Sequence, residues 1–307
     1  MQNIVPKIVL GMLSLLLSRL AGAQAYQWTE IVIPGATVFQ AYGLNDQGQT
    51  AVTTTDGTSG IYGDGTFTPL PPPPQGFQVY ARGVNNDGVI TGLAFTAETG
   101  QGFLLRGSTY TLFARAGWDN TEARAIADSG LITGFNVSAD GSRYAGFIYD
   151  PDSNTFTDAT PPGSNFTITQ GMNRFGRISG HGREQPGIGR YGFVWQQGTI
   201  SRGNRVLLPF LSRIKIGDNF TAARGINDHG IIVGFTGNDD GTSDGFVGSD
   251  ARGYQRLVAP GGEVPGNSTL CQGINNFAQV VCTVNDSEFN PLSAFIGSPL
   301  EGEGEED

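Results

Sequence analysis

From Tyr26 onward, apolar and polar residues alternate over short stretches that are cut by glycine-rich turns. Alternation with a period of two is the signature of half-buried strands, and glycine supplies the positive φ that tight turns need. No sustained 3.6-residue apolar pattern appears beyond residue 25, so few helices are expected. The stretch Ala223 to Phe235, ARGINDHGIIVGF, shows the pattern best. It predicts a strand over Thr221 to Asn227, a tight turn with Gly230 in the left-handed region, and a second strand over Ile231 to Thr236. The polar loop GNDDGTSD then leads to a third strand, Gly245 to Ser249, and a fourth, Tyr254 to Ala259.

The same text recurs along the chain. The triplets Gly43-Leu44-Asn45, Gly83-Val84-Asn85, Ala125-Ile126-Ala127, Gly171-Met172-Asn173, Gly225-Ile226-Asn227 and Gly273-Ile274-Asn275 are separated by 40, 42, 46, 54 and 48 residues. That period suits a four-stranded propeller blade, and the alternating text excludes a helical pair. A second column lies in the third strands: Ile61, Phe103, Phe147, Phe193, Phe246 and Phe295, read as packing between neighbouring sheets. The sixth unit ends at Phe295 to Pro299 without a fourth strand, whereas Tyr26 to Gly35, YQWTEIVIPG, resembles the fourth strands of other units. The expectation is therefore an all-β, six-bladed β-propeller over residues 26–299, with repeats starting near 41, 81, 123, 169, 223 and 271. The N-terminal segment would complete the last blade and remove the exposed edges of an open array.

The pattern G-[IVLM]-N-[DN]-x-G-x-[IV]-x-G followed by [GA]-F-[LIV] resembles the HAF-type extracellular repeat proteins over all six units. The resemblance implies export and a propeller-like fold more than an activity. The chain departs from that family by lacking the histidine of its His-Ala-Phe triplet, so any role of that histidine is not carried over.

Residues 1–25 read differently. Lys7, the apolar run Ile8 to Leu17 and the ending Ala23-Gln24-Ala25 match a cleavable secretory signal, and the run is short for a membrane span, which takes about 20 residues. No other segment is expected to span a membrane. Loss of Lys7 and Arg19 takes the formal charge from −10 to −12. With only Lys7 and Lys215 as lysines and no basic stripe, nucleic acid is excluded as a partner. The ending EGEGEED is expected to be a solvated acidic tail over residues 300–307. A monomer is expected, secreted or periplasmic.

Cys271 and Cys282 align with positions that hold Ala or Gly in other units, and they should face each other across a hairpin. Directly opposed residues lie within disulfide reach, and export favours oxidation, so one bridge is expected.

Candidate chemistry is sparse. The residue before each triplet is Tyr42, Arg82, Arg124, Gln170, Arg224 or Gln272. On the first strand of a blade these six donors either ring a central channel, where they suit an anion or a sugar, or pack between blades. His181 takes an apolar packing position at the mouth of a polar loop and is a weaker ligand candidate; His229 reads as a turn residue. The loops after strands two and four share one face and are the long ones. Asp56, Glu98, Asp119, Asp140, Glu184 and Asp244 lie there, but no spacing pairs any two as a glycosidase would require. Asp150 to Asn154 and Asn238 to Gly241 read as turns, with Ca²⁺ as the one candidate ion and no other cofactor expected. These features favour a non-enzymatic module for a glycan or an extracellular protein. A polysaccharide hydrolase or lyase, and a structural envelope or matrix protein, are the alternatives.

Overall fold

The computed structural model describes residues 25–161, 164–183, 191–196, 210–214, 216 and 219–300. The expected signal sequence up to residue 24, the tail from 301 onward, Glu184 and Lys215 lie outside the described residues.

The described chain is all strand and turn, with no helix. After β1 (Tyr26–Glu30), the first repeat forms β2 (Val38–Leu44), β3 (Thr50–Thr54), β4 (Ser59–Gly63) and β5 (Thr66–Pro69). The second forms β6 (Gln78–Val84), β7 (Ile90–Phe95), β8 (Gly100–Arg106) and β9 (Thr109–Phe113). The third forms β10 (Asn120–Ile126), β11 (Ile132–Val137), β12 (Tyr144–Asp150) and β13 (Thr155–Asp158). The fourth forms β14 (Phe166–Met172), β15 (Ile178–Arg183), β16 (Tyr191–Gln196) and β17 (Phe210–Ile214). The fifth forms β18 (Thr221–Ile226), β19 (Ile232–Gly237), β20 (Ser243–Ser249) and β21 (Gly253–Leu257). The last comprises β22 (Ser268–Ile274), β23 (Val280–Asn285) and β24 (Pro291–Pro299). The bounds expected for the fifth repeat shift by one or two residues at most strand ends.

Every repeat is an antiparallel meander, and β1 supplies the strand that the last one lacks. It runs antiparallel to β24 with Tyr26 opposite Pro299 and Glu30 opposite Phe295. Trp28 packs edge-on against Phe295, with ring centroids 6.4 Å apart. It also fills the space over Gly297, where a Cβ would lie 2.7 Å from the indole.

One feature differs from six separate sheets. The second, third and fourth repeats form one twelve-stranded sheet, because β8 meets β10 and β12 meets β14 in parallel at single positions, Gly100 with Asn120 and Tyr144 with Phe166. First strands start beside the neighbouring third strands there, close enough for one bridging pair. None of the sheets closes on itself.

The core lies between meanders. Phe103, Phe147, Phe193 and Phe246 are completely or almost completely buried, and Phe295 nearly so, as the third-strand column anticipated. Truncating such a phenylalanine to alanine costs about 3–5 kcal/mol. Cys271 and Cys282 are directly opposed on β22 and β23 and form a disulfide.

Candidate functional site: a guanidinium-lined cavity

The first strand of each repeat carries a residue too many, and β2 carries a second one at Phe39. In β6, Ala81 pairs with Gly92 and Gly83 with Thr91, which leaves Arg82 unopposed. The same shift singles out Arg124, Gln170, Arg224 and Gln272. In β2 it falls one residue later, on Gly43, whose φ is +46°. A β-bulge bends its strand and re-aims the extra side chain. Here the five bulged side chains and Tyr42 all line a single cavity of about 70 Å³. Of the two orientations open from sequence, the column takes the inward one.

The bulge also explains a glycine column across the strand. A Cβ on Gly92, Gly134 or Gly234 would lie 2.0, 1.9 or 2.0 Å from the carbonyl oxygen of Tyr80, Glu122 or Ala222. Where the bulge moves by one residue, in the first repeat, Val52 occupies that place opposite Ala41.

The cavity is electropositive at its lining. Arg82 and Arg124 share one carboxylate, Glu122, whose Oε1 lies 3.1 Å from Nε of both, and Arg224 lines the same cavity. Arg82 also donates from Nη1 to Gln40 Oε1 (2.7 Å) and lies over the Tyr42 ring, 4.6 Å from its centroid. Arg224 lies over Phe235 at 4.8 Å. Burial alone would push the Tyr42 phenol up, but the nearby Arg82, Arg124 and Arg224 outweigh it and hold its pKa below the ordinary 10.0. Gln272, 8% exposed, has its Oε1 without a hydrogen-bond partner.

Below this layer the first strands converge on a waist. A Cβ on Gly83 would lie 3.1 Å from the Ala125 Cα, and one on Gly273 would lie 3.1 Å from the Gly43 nitrogen. Leu44, Val84, Ile126, Met172, Ile226 and Ile274 separate the guanidinium cavity from a second one, lined by asparagines and aspartates.

That second ring is built from hydrogen bonds between repeats. Nδ2 of Asn45 donates to Asn85 O, and Nδ2 of Asn85 to Ala127 O (3.1 and 3.4 Å). Asn173, Asn227 and Asn275 donate in the same way to Asn227, Asn275 and Asn45, each at 3.1 Å. Each asparagine also accepts two amides of its own turn; Asn227 Oδ1 takes those of His229 and Ile231 (3.1 and 2.9 Å). One residue on, the amides of Asp46, Asn86, Arg174, Asp228 and Asn276 donate to side-chain oxygens of Asn86, Asp128, Asp228, Asn276 and Asp46. Both series break at one place. Ala127 has no side-chain amide to give, and Arg174 has no side-chain oxygen to receive the Asp128 amide. Thr133 and Thr169 compensate by joining the third and fourth repeats farther out, Oγ1 to Oγ1 at 3.0 Å.

The remaining candidates lie elsewhere. His181, 3% exposed, sits on β15 opposite Gly192, with its ring 6.3 Å from Phe166, and is not part of the cavity lining. His229 is in its turn and exposed. Asp56 and Asp140 cap their own hairpins and are pulled below the ordinary carboxylate range by hydrogen bonds. Thr54 is the first partner of Asp56; Ser138 and Ser142 hold Asp140 at about 2. Asp244 takes two bonds from Arg256 (2.6 and 2.7 Å). Asp119 accepts from the Asn120 amide (3.1 Å), and Glu98 has its backbone nitrogen bound to Thr96. The turn at Asp150 to Asn154 closes on Asp150, which accepts the Asp152 amide, and that at Asn238 to Gly241 on Asp240. No group of three or more His, Cys, Asp or Glu side chains is placed to hold a metal ion among the described residues.

Two site residues escaped sequence reasoning. Glu122 and Gln40 sit two residues before Arg124 and Tyr42, in a column that elsewhere holds Tyr80, Ile168, Ala222 and Leu270. Its lack of repetition hid it, although an acid two places from a bulged arginine was a readable cue.

No protein-family model matches the chain, and no curated protein matches it in sequence. Solved structures do match in shape. A gluconolactonase from Xanthomonas campestris aligns over 90% of both chains at 11% identity, with a TM-score of 0.56. A structure named for an inferred gluconolactonase activity aligns over 90% of this chain and 94% of its own at 9% identity and a TM-score of 0.55. TolB from Acinetobacter baumannii aligns over 84% of this chain and 63% of its own at 12% identity and a TM-score of 0.50. Likeness at such identities shows the fold alone, an all-β arrangement of the propeller type.

Proposed function

We propose that the chain is an exported six-bladed β-propeller, its ring closed by β1, that binds an extracellular glycan through the cavity on its long-loop face. The observation that carries this reading is the convergence of Tyr42, Arg82, Arg124, Gln170, Arg224 and Gln272 on one cavity. The unbroken run of asparagine bonds from Asn173 through Asn275 and Asn45 to Ala127 supports six units in a ring. The disulfide is compatible with an oxidising compartment, and no helix among the described residues is long and apolar enough to cross a membrane. Membership of the HAF-type repeat proteins belongs to the same proposal, resting on the repeated motif and its glycine-phenylalanine column.

A glycan array probed with the disulfide-bonded protein, with and without Ca²⁺, tests the reading. Binding that is lost in Arg124→Ala with Arg224→Ala supports it. Binding that survives both substitutions removes the cavity from the account. Product release from a bound polysaccharide would replace it with the hydrolase or lyase reading.

A further inference from the structure

Resting on that reading of the cavity, we propose that the group it takes is a single small oxyanion, a carboxylate or an inorganic oxyanion, so that the glycan recognised is an acidic one that inserts its charged head between the arginines.

Size argues for a head group rather than a whole sugar. The cavity holds about 70 Å³, whereas on the same measure a water takes about 10–15 Å³ and ligand-sized pockets run to roughly 300 Å³ or more. A group of about five heavy atoms fits, a carboxylate or a sulfate but not a sugar ring. Deeper entry is stopped by the waist, where Gly83 and Ala125 approach within contact distance and apolar side chains follow.

Charge argues for an anion. Among the described residues, Arg82 and Arg124 share the one carboxylate of Glu122 in a largely buried space, and Arg224 lines the same cavity, in a chain whose formal charge is −10. Like charges gathered away from water are unfavourable unless balanced, and a planar oxyanion matches the guanidinium fork. Aromatic faces hold the forks in place: Tyr42 lies under Arg82 at 4.6 Å and near Arg124 at 5.8 Å, and Phe235 lies under Arg224. Glu122 and Gln40 occupy Nε and Nη1 of Arg82, which turns the rest of that fork to the cavity. The buried amide of Gln272, with Oε1 unpartnered, presents its NH₂ group in the same place after a half-turn. The lowered Tyr42 phenol reports the same positive potential.

Titration calorimetry with glucuronate, glucose and inorganic sulfate as separate probes tests this. The expected result is binding of glucuronate, no heat from glucose, and at least a tenfold loss of glucuronate affinity in Arg124→Gln with Arg224→Gln. Gln272→Glu, which adds a negative charge with little change of shape, should cause a comparable loss and serves should the double variant fail to fold. Sulfate that competes with glucuronate supports the oxyanion site and identifies free anions as a second source. Sulfate that binds while glucuronate does not overturns the acidic-glycan half of the proposal. Arginine-dependent binding of neutral glycans only, on the array, overturns the oxyanion site while leaving the binding function intact. Heat from none of the probes and an empty array overturn both.

Discussion

Two rings of side chains belong to the same six repeats, one on the first strands and one in the turns that follow them, separated by one layer of apolar residues, and they are built on opposite terms. In the asparagine and aspartate ring nearly every donor meets an acceptor from the next repeat. In the guanidinium ring Arg82 and Arg124 share the single carboxylate of Glu122 among the described residues, Gln272 keeps an unmatched oxygen, and aromatic faces lie against Arg82 and Arg224. Side chains that satisfy one another from repeat to repeat hold the fold. The proposed function gives the other ring, with two arginines on one carboxylate, an anion from outside the chain to balance it.

That contrast is sharpest in stability. Asn227→Ala removes the bond to Asn275 and leaves two turn amides without their acceptor. The expected loss is about 2–4 kcal/mol, read by urea unfolding. A neutral result would mean that the polar ring is ornamental and the comparison misdrawn.

Reduction of the disulfide should cost somewhat less. It closes a short hairpin loop, for which chain entropy gives at most roughly 3 kcal/mol. It also braces the repeat whose Asn275 and Asn276 reach Asn45 and Asp46. Cys282→Ser with Cys271→Ser should lower the melting temperature, whereas glucuronate affinity at lower temperature should persist.

The break in the polar ring offers a gain rather than a loss. Ala127→Asn supplies the missing side-chain amide and replaces the long 3.4 Å bond from the Leu131 amide to Ser129 Oγ with the turn acceptor of the other repeats, and it should stabilise the protein by about 1 kcal/mol. Any destabilisation would show that the third and fourth repeats depend on the Thr133 to Thr169 contact in a geometry that the asparagine disturbs.

The smallest effect concerns the outer turns. Asp140 is held at about 2, and Asp56, Asp240 and Asp286 are lowered likewise by hydrogen bonds from their own turns. Because these folded-state values lie below the unfolded one, near 3.9, their contribution is complete above about pH 4 and fades as the pH falls towards 2. Circular dichroism should show stability declining in that window, and Asp140→Asn should flatten the decline slightly.

Much of this architecture is legible in the sequence because it is repeated. The Gly-x-Asn triplets mark the first strands, the third-strand phenylalanines mark the core, and counting strands places Tyr26 to Glu30 beside β24. What escapes is what occurs once or depends on register. Alternation alone does not show the bulge at Arg82, because one inserted residue leaves the apolar pattern on either side intact. Glu122 is invisible because its column is otherwise mixed. The merging of three repeats into one sheet rests on single bridging pairs, Gly100 with Asn120 and Tyr144 with Phe166, which carry no residue signature.

The most direct test of the division between the rings is the thermal midpoint of Arg124→Gln measured beside Asn227→Ala in low-salt buffer. The account predicts that Arg124→Gln melts at or above the parent temperature, because it leaves Arg82 and Glu122 as a neutral pair, while Asn227→Ala melts well below it. A fall in Arg124→Gln as large as that in Asn227→Ala would show that the arginine ring holds the fold, and would contradict the central claim.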